Sequence, residues 1–133
     1  MAFPITNAEI AKTEAKTGFM FPFDLKVRFS KDNGGEIELA GDSWQLIPFL
    51  DGSDRKRIAR TCNDIVRETA TMRNWRGFPA HAFVIARNGA GDYLIIRPTM
   101  EGSKELGETI YLWDHETGEH EPVAPSFDSA SKI

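Results

Sequence analysis

Asn33-Gly34-Gly35 constrains this chain more than any other stretch, because one kind of structure must end there and another begin. Upstream, Phe21, Leu25 and Phe29 recur every four residues and give one apolar helical face. Pro22 suits the first helical position, where its missing N–H would be unpaired anyway. Downstream, Glu36 to Ala40 alternates polar and apolar through Ile37 and Leu39, as a half-buried strand does. Glycine accepts the positive φ that other residues resist, so the triplet predicts a helix stop and a turn. A phosphate cradle would leave a strand and open a helix, the reverse of the order here. Pro22, Asn33, Gly34 and Gly35 are therefore read as structural residues.

The flanking segments fit that frame. Thr6 and Glu9 form a Thr-x-x-Glu capping box, and Ile5 and Ile10 stand where a hydrophobic staple would place them. The first helix should start at Asn7 and stop at Gly18, with a shallow apolar face of Ala8, Ala11 and Ala15 lying against the sheet edge. After the second helix and its strand, Gly41-Asp42 predicts a tight reversal into a strand from Ser43 to Phe49. Trp44 and Leu46 share one face of it and Ile47 and Phe49 the other. Pro48 cannot donate to a ladder, so this strand lies at an edge or its pairing ends there. Ile58, Cys62, Ile65, Val66, Thr69 and Met72 follow the i, i+4, i+7, i+8 spacing of one buried stripe, which predicts a single long helix from Ser53 or Asp54 to about Asn74. Cys62 is read as an apolar filler inside it. Arg55, Lys56, Arg57 and Arg60 oppose the dipole of that helix and read as a solvated face or a binding patch.

Two segments, His81 to Ala86 and Tyr93 to Arg97, are apolar on both faces and are joined by Asn88-Gly89-Ala90-Gly91-Asp92, which predicts a hairpin in the middle of a sheet. A polar, flexible segment from Met100 to Gly107 leads to Thr109-Ile110-Tyr111-Leu112-Trp113. The turn Asp114 to Gly118 then reverses the chain into a weak strand, His120 to Ala124. The expected fold class is α+β: a mostly antiparallel sheet of about five or six strands, with N-terminal helices and one long central helix packed around it. Residues 1–127 should form one domain and 128–133 a short, flexible tail.

Charge and composition narrow the function classes. With 133 residues, 41% of them hydrophobic and including nine Phe and three Trp, the chain can bury a core. A net charge of −4 gives no basic footprint for nucleic acid. No segment approaches the roughly 20 apolar residues of a membrane span, and the first residues lack a basic start, so a soluble, cytoplasmic protein is expected. One cysteine permits no internal disulfide.

Chemistry is hard to find. The Gly89-Ala90-Gly91 run joins two strands and is a hairpin turn rather than a nucleotide loop. Asp114-His115-Glu116 and Glu119-His120-Glu121 form the most metal-like cluster, yet they match no metal-ligand spacing, and an exposed charged hairpin explains them more simply. No nucleophile elbow exists, and His81, His115 and His120 form no triad on paper. Neither a catalytic residue, a metal nor a cofactor is assigned.

Read together, the landmarks resemble the SUKH superfamily, which includes fungal cell-wall synthesis regulators and many bacterial immunity proteins. They are the N-terminal helix, Pro22-Phe23-Asp24-Leu25 leading through Phe29 to Asn33-Gly34-Gly35, Trp44, Phe78-Pro79, Phe83-Val84-Ile85-Ala86, Gly91-Asp92, Ile110-Tyr111-Leu112 with Asp114-His115, and Ala124-Pro125-Ser126-Phe127. The resemblance covers about Ile5 to Phe127. Phe21-Pro22-Phe23-Asp24-Leu25 stands where the family more usually has Leu-Pro-x-Asp-Tyr, and only six residues follow Phe127 where many members continue a closing helix.

The resemblance implies a binding scaffold without a catalytic centre. In bacteria it implies an immunity protein that neutralises a cognate toxin, commonly a nuclease-type enzyme and often basic. On this reading the acidic turns around Asp42, Asp92 and Asp114, with Glu116 and Glu119, are the candidate contacts. Trp44 and Trp113 are aromatic anchors if they are not core. A scaffolding protein with another cellular protein partner is the first alternative. A metal-dependent enzyme using His115 and His120 is the second.

Overall fold

The structure is a computed structural model that describes residues 3–127 and 131–132. In chain order the elements are α1 (Asn7–Thr17), α2 (Phe23–Lys31), β1 (Glu36–Leu39), β2 (Asp42–Leu46), α3 (Arg55–Thr61), α4 (Ile65–Met72), β3 (Phe83–Arg87), β4 (Tyr93–Ile96), β5 (Ile110–Trp113), β6 (His120–Ala124) and β7 (Ser131–Lys132). One sheet in the order β6-β5-β4-β3-β2-β1-β7 carries the fold, and every pairing of neighbouring strands is antiparallel. The α+β expectation holds. Of the expected tail at 128–133, residues 128–130 and 133 lie outside the described residues, while Ser131–Lys132 pairs with Ile37 and Glu38 of β1.

The N-terminal boundaries follow from capping. The Thr6 hydroxyl accepts from the Glu9 N–H at 3.3 Å, Gly18 closes α1 at φ 78, and Ile5 and Ile10 are both buried. The box is only half made, however. Glu9 does not reach back to Thr6; its Oε1 accepts from the Gly52 N–H at 2.8 Å and its Oε2 from Lys12 at 2.7 Å, so this buried carboxylate ties α1 to the loop before α3. The expected alanine face is also corrected. Ala8, Ala11 and Ala15 are exposed, and the inward side of α1 is Glu9, Ile10, Thr13 and Glu14. Polar side chains can line it because they are satisfied there: Glu14 accepts from the Phe21 N–H at 2.8 Å and from Lys26 at 3.2 Å.

Phe21, Leu25 and Phe29 are all buried, as their spacing requires. Pro22 is the N-cap residue rather than the first helical one. Asn33-Gly34-Gly35 does end α2 and lead into β1. Its glycines have φ 140 and 83, and the Arg28 guanidinium closes the helix end by donating to the Asp32 and Gly34 carbonyls at 2.6 and 3.1 Å. The edge-on aromatic contacts Phe21–Phe49 at 5.0 Å, Phe29–Phe49 at 5.2 Å and Phe21–Phe83 at 5.4 Å join this region to the core.

Of the two alternatives that Pro48 leaves for the strand carrying Trp44, the second holds: β2 lies between β1 and β3, and its pairing with β3 ends at Leu46 and the Ile47 N–H bond to the Ile85 carbonyl, just before Pro48. One expectation about the middle of the chain fails. The long central helix is two. Asp64 breaks it by acting as N-cap, its Oδ1 accepting from the Arg67 N–H at 2.9 Å, just as Asp54 caps α3 through the Arg57 N–H at 2.8 Å. An aspartate that can bond local backbone competes with continued helix. The stripe is split accordingly. Ile65, Thr69 and Met72 are buried on α4, whereas Ile58 is 46% exposed and Cys62 is exposed rather than a filler. Tertiary hydrogen bonds hold the second half in place: Ile65 N–H to the Pro48 carbonyl at 2.9 Å, Val84 N–H to the Thr69 hydroxyl at 3.0 Å, and Arg73 to the Ala82 carbonyl at 2.7 Å.

Candidate functional site

In a meander of six consecutive strands, the turns β1–β2, β3–β4 and β5–β6 fall at one end of the sheet. That places the acidic candidates together. The first turn takes positive φ at Ala40 (54) and Gly41 (75), the backbone twist that two-residue hairpins favour. The second is closed by Asn88, whose Oδ1 accepts from the Ala90 and Asp92 N–H groups, both at 3.0 Å. In the third, Asp114 Oδ1 accepts from the Glu116 N–H at 2.8 Å and the Asp114 carbonyl from the Gly118 N–H at 2.8 Å.

Side chains bridge the turns into one ridge. Asn88 Nδ2 donates to Asp42 Oδ2 at 2.9 Å, linking the first to the second. Asp92 Oδ1 lies 2.7 Å from His115 Nδ1 and accepts from the His115 N–H at 3.2 Å, linking the second to the third. The segment between α4 and β3 packs on the third turn: a Cβ on Gly118 would stand 2.5 Å from the Arg76 carbonyl oxygen. Five of the seven nominated contacts therefore share one surface, with Asp42, Glu116 and Glu119 exposed and Asp92 and Asp114 half-buried.

The other two do not reach it. Trp44 is 1% exposed, with Nε1 donating to the Leu39 carbonyl at 2.9 Å, and Trp113 is fully buried; both are core, the other reading of these residues. Trp75 stands at the surface instead, 48% exposed and edge-on to Trp113 at 6.0 Å. It lies three residues beyond Met72, where helical periodicity would have buried it, so nothing in the spacing marks it out.

Ligand atoms of Asp92, Asp114 and His115 lie within 4.8 Å of one another. Among the described residues this is the set that could approach a metal, and it differs from the sequence cluster. His120 is not in it; its ring faces Tyr111 at 5.4 Å. The basic residues of α3 gather elsewhere, with Lys56, Arg57 and Arg60 at 5.9, 5.2 and 4.5 Å from the Phe3 ring centre. Arg57 and Arg60 line a cleft of about 360 Å³ beside Asn33, Pro48 and Asp51.

The Asp92–His115 pair makes the ridge sensitive to pH. Its hydrogen bond to Asp92 raises the His115 imidazole above its ordinary value, and the Asp92, Glu116 and Asp114 charges add to the rise. Burial alone would push the Asp92 carboxyl up, but hydrogen bonds from the His115 ring and N–H and from Asn88 outweigh it and leave it lowered. The imidazolium contribution is therefore complete below the unfolded value near pH ~6.5 and is lost as pH rises through the higher folded value. The carboxylate contribution is present above its unfolded value near pH ~3.9 and is lost as pH falls through the depressed folded one. The clamp should be strongest between those limits. Unaltered protein is expected to lose more thermal stability than His115→Ala between about pH 6 and 8. Parallel melting curves across that range would contradict the clamp.

No curated protein matches the chain significantly. The profile of the SMI1 / KNR4 family (SUKH-1) matches residues 4–130, and the chain belongs to that family.

Proposed function

We propose that this SUKH-1 family member is a non-enzymatic binding protein of the bacterial cytoplasm that neutralises a cognate toxin, commonly of nuclease type, by covering its active or substrate-binding surface. The observation that carries the reading is the ridge itself. Three hairpin turns with five carboxylates are held in one arrangement by Asn88–Asp42 and Asp92–His115. Such a surface is preformed, so little ordering is needed on binding. Its charge suits a basic partner, which it would steer into place before contacts form.

Glu116 and Glu119 are the residues to change, because both side chains are exposed, whereas Asp92 and Asp114 also hold the turns. The product of the reading frame beside this one is the test partner. Glu116→Lys/Glu119→Lys should slow association about tenfold at low salt, with the difference shrinking toward 0.5 M salt as screening takes over, on the order of the effects steering produces. Equal association rates at low salt would remove the acidic end as the docking face.

A further inference from the structure

We infer that Trp75 is the aromatic anchor of this docking face, and that the partner offers it an apolar socket rimmed by lysine or arginine; this rests on the acidic end of the sheet being the face used. Both tryptophans that the sequence nominates are enclosed, so Trp75, at 48% exposure, is the tryptophan that presents a large ring to a partner. Tryptophan, with tyrosine and arginine, is enriched among the few side chains that dominate protein interfaces once water is excluded around them.

The ring is also held before any partner arrives. Trp113 supports it at an interplanar angle of 89°. The Trp75 N–H donates to the Met72 carbonyl at 3.0 Å, and the Trp75 carbonyl accepts from the Phe78 N–H at 3.1 Å, closing a tight turn. The backbone on its far side is pinned where Gly77 meets Gly118, leaving no room for a side chain on either. An anchor fixed in this way loses little freedom on binding.

Its surroundings specify the rim of the socket. Trp113 is followed directly by Asp114, and the third turn carries Glu116 and Glu119 beside the Trp75 loop. Against these three carboxylates stand Arg76, exposed on the same loop, and the His115 imidazole, which is paired with the Asp92 carboxylate; Arg73 bonds the Ala82 carbonyl and stacks on the Phe83 ring. An apolar ring beside a mainly anionic turn matches an apolar depression with cationic edges, and not an anionic or purely hydrophobic surface.

The test uses the full-length chain and the purified product of the neighbouring reading frame. Trp75→Ala should weaken binding at least 30-fold, chiefly by faster dissociation and with little salt dependence. Trp75→Phe should stay within about fivefold of the unaltered protein, consistent with loss of part of one anchor. In protein labelled with 5-fluorotryptophan, one of the three fluorine resonances should be accessible to a paramagnetic quencher when free and shielded in the complex. That measurement keeps the inference testable if the alanine variant folds poorly. Binding that survives Trp75→Ala, or a resonance equally quenched in the complex, overturns the inference and leaves the acidic face standing. No binding by the unaltered protein overturns the docking face and the anchor together.

Discussion

Gly77→Ala is expected to destabilise the protein by about 2 to 5 kcal/mol, from strain at positive φ of about 1–2 kcal/mol plus overpacking of about 1–3 kcal/mol. Gly77 adopts φ 82, and a Cβ there would overlap the Gly118 carbonyl, standing 2.9 Å from both the Gly118 carbonyl carbon and its Cα. The obstacle is backbone rather than the end of a flexible side chain, so relief means separating the loop after α4 from the β5–β6 turn. Gly118, at φ 74, faces the same obstacle from the other side.

Gly41→Ala supplies the comparison. Gly41 has φ 75, close to that of Gly77, but nothing lies within 4 Å of its would-be Cβ. It should cost only the conformational part, about 1–2 kcal/mol. Denaturant unfolding of both variants therefore separates backbone strain from close approach. Equal losses would show that the two segments part without penalty, and the rigid support inferred for Trp75 would go with them.

What the sequence discloses and what it hides divide along physical lines. Signals that act within a few residues are legible. Thr6 caps α1, Gly18 closes it, the glycines after Asn33 end α2, and the both-sides-apolar strands β3 and β4 lie well inside the sheet order. Errors come where a tertiary partner outbids the local pattern. Glu9 completes a capping box on paper, yet the Gly52 N–H claims its carboxylate. The split between α3 and α4 is of another kind: Ile58 to Met72 keeps helical spacing, but Asp64 bonds the Arg67 N–H three residues on and restarts the helix, a local cap that the apolar stripe outweighs in the sequence. The acidic turns were visible as turns. That they form one surface depended on strand order, which no local signal encodes. Trp75 is hidden because the spacing after Met72 does not show that α4 ends there and that the ring stands edge-on against Trp113 at the surface.

Asn33→Ala should be costly, about 2 to 6 kcal/mol, because two buried backbone groups lose their partners at once and each costs about 1–3 kcal/mol. Asn33 Nδ2 donates to the Phe49 carbonyl and Asn33 Oδ1 accepts from the Phe49 N–H, both at 2.9 Å. Asn33 is 5% exposed and Phe49 fully buried, so water cannot replace the amide without opening the junction between α2 and the end of β2. Asn33→Asp distinguishes this hydrogen-bond account from simple loss of packing, since it is nearly the same size. It keeps an acceptor for the Phe49 N–H but sets a carboxylate against the Phe49 carbonyl. Protonation restores a donor, so the new carboxyl should be more basic folded than unfolded. Its stability penalty should then be smallest below the unfolded value near pH ~3.9 and should grow as pH rises through the raised folded one. Chemical denaturation of unaltered and Asn33→Asp protein at pH 4 and pH 7 reads this directly. A penalty that does not change with pH would mean that Asn33 acts by shape alone, and that its amide does not join the helix stop to the sheet.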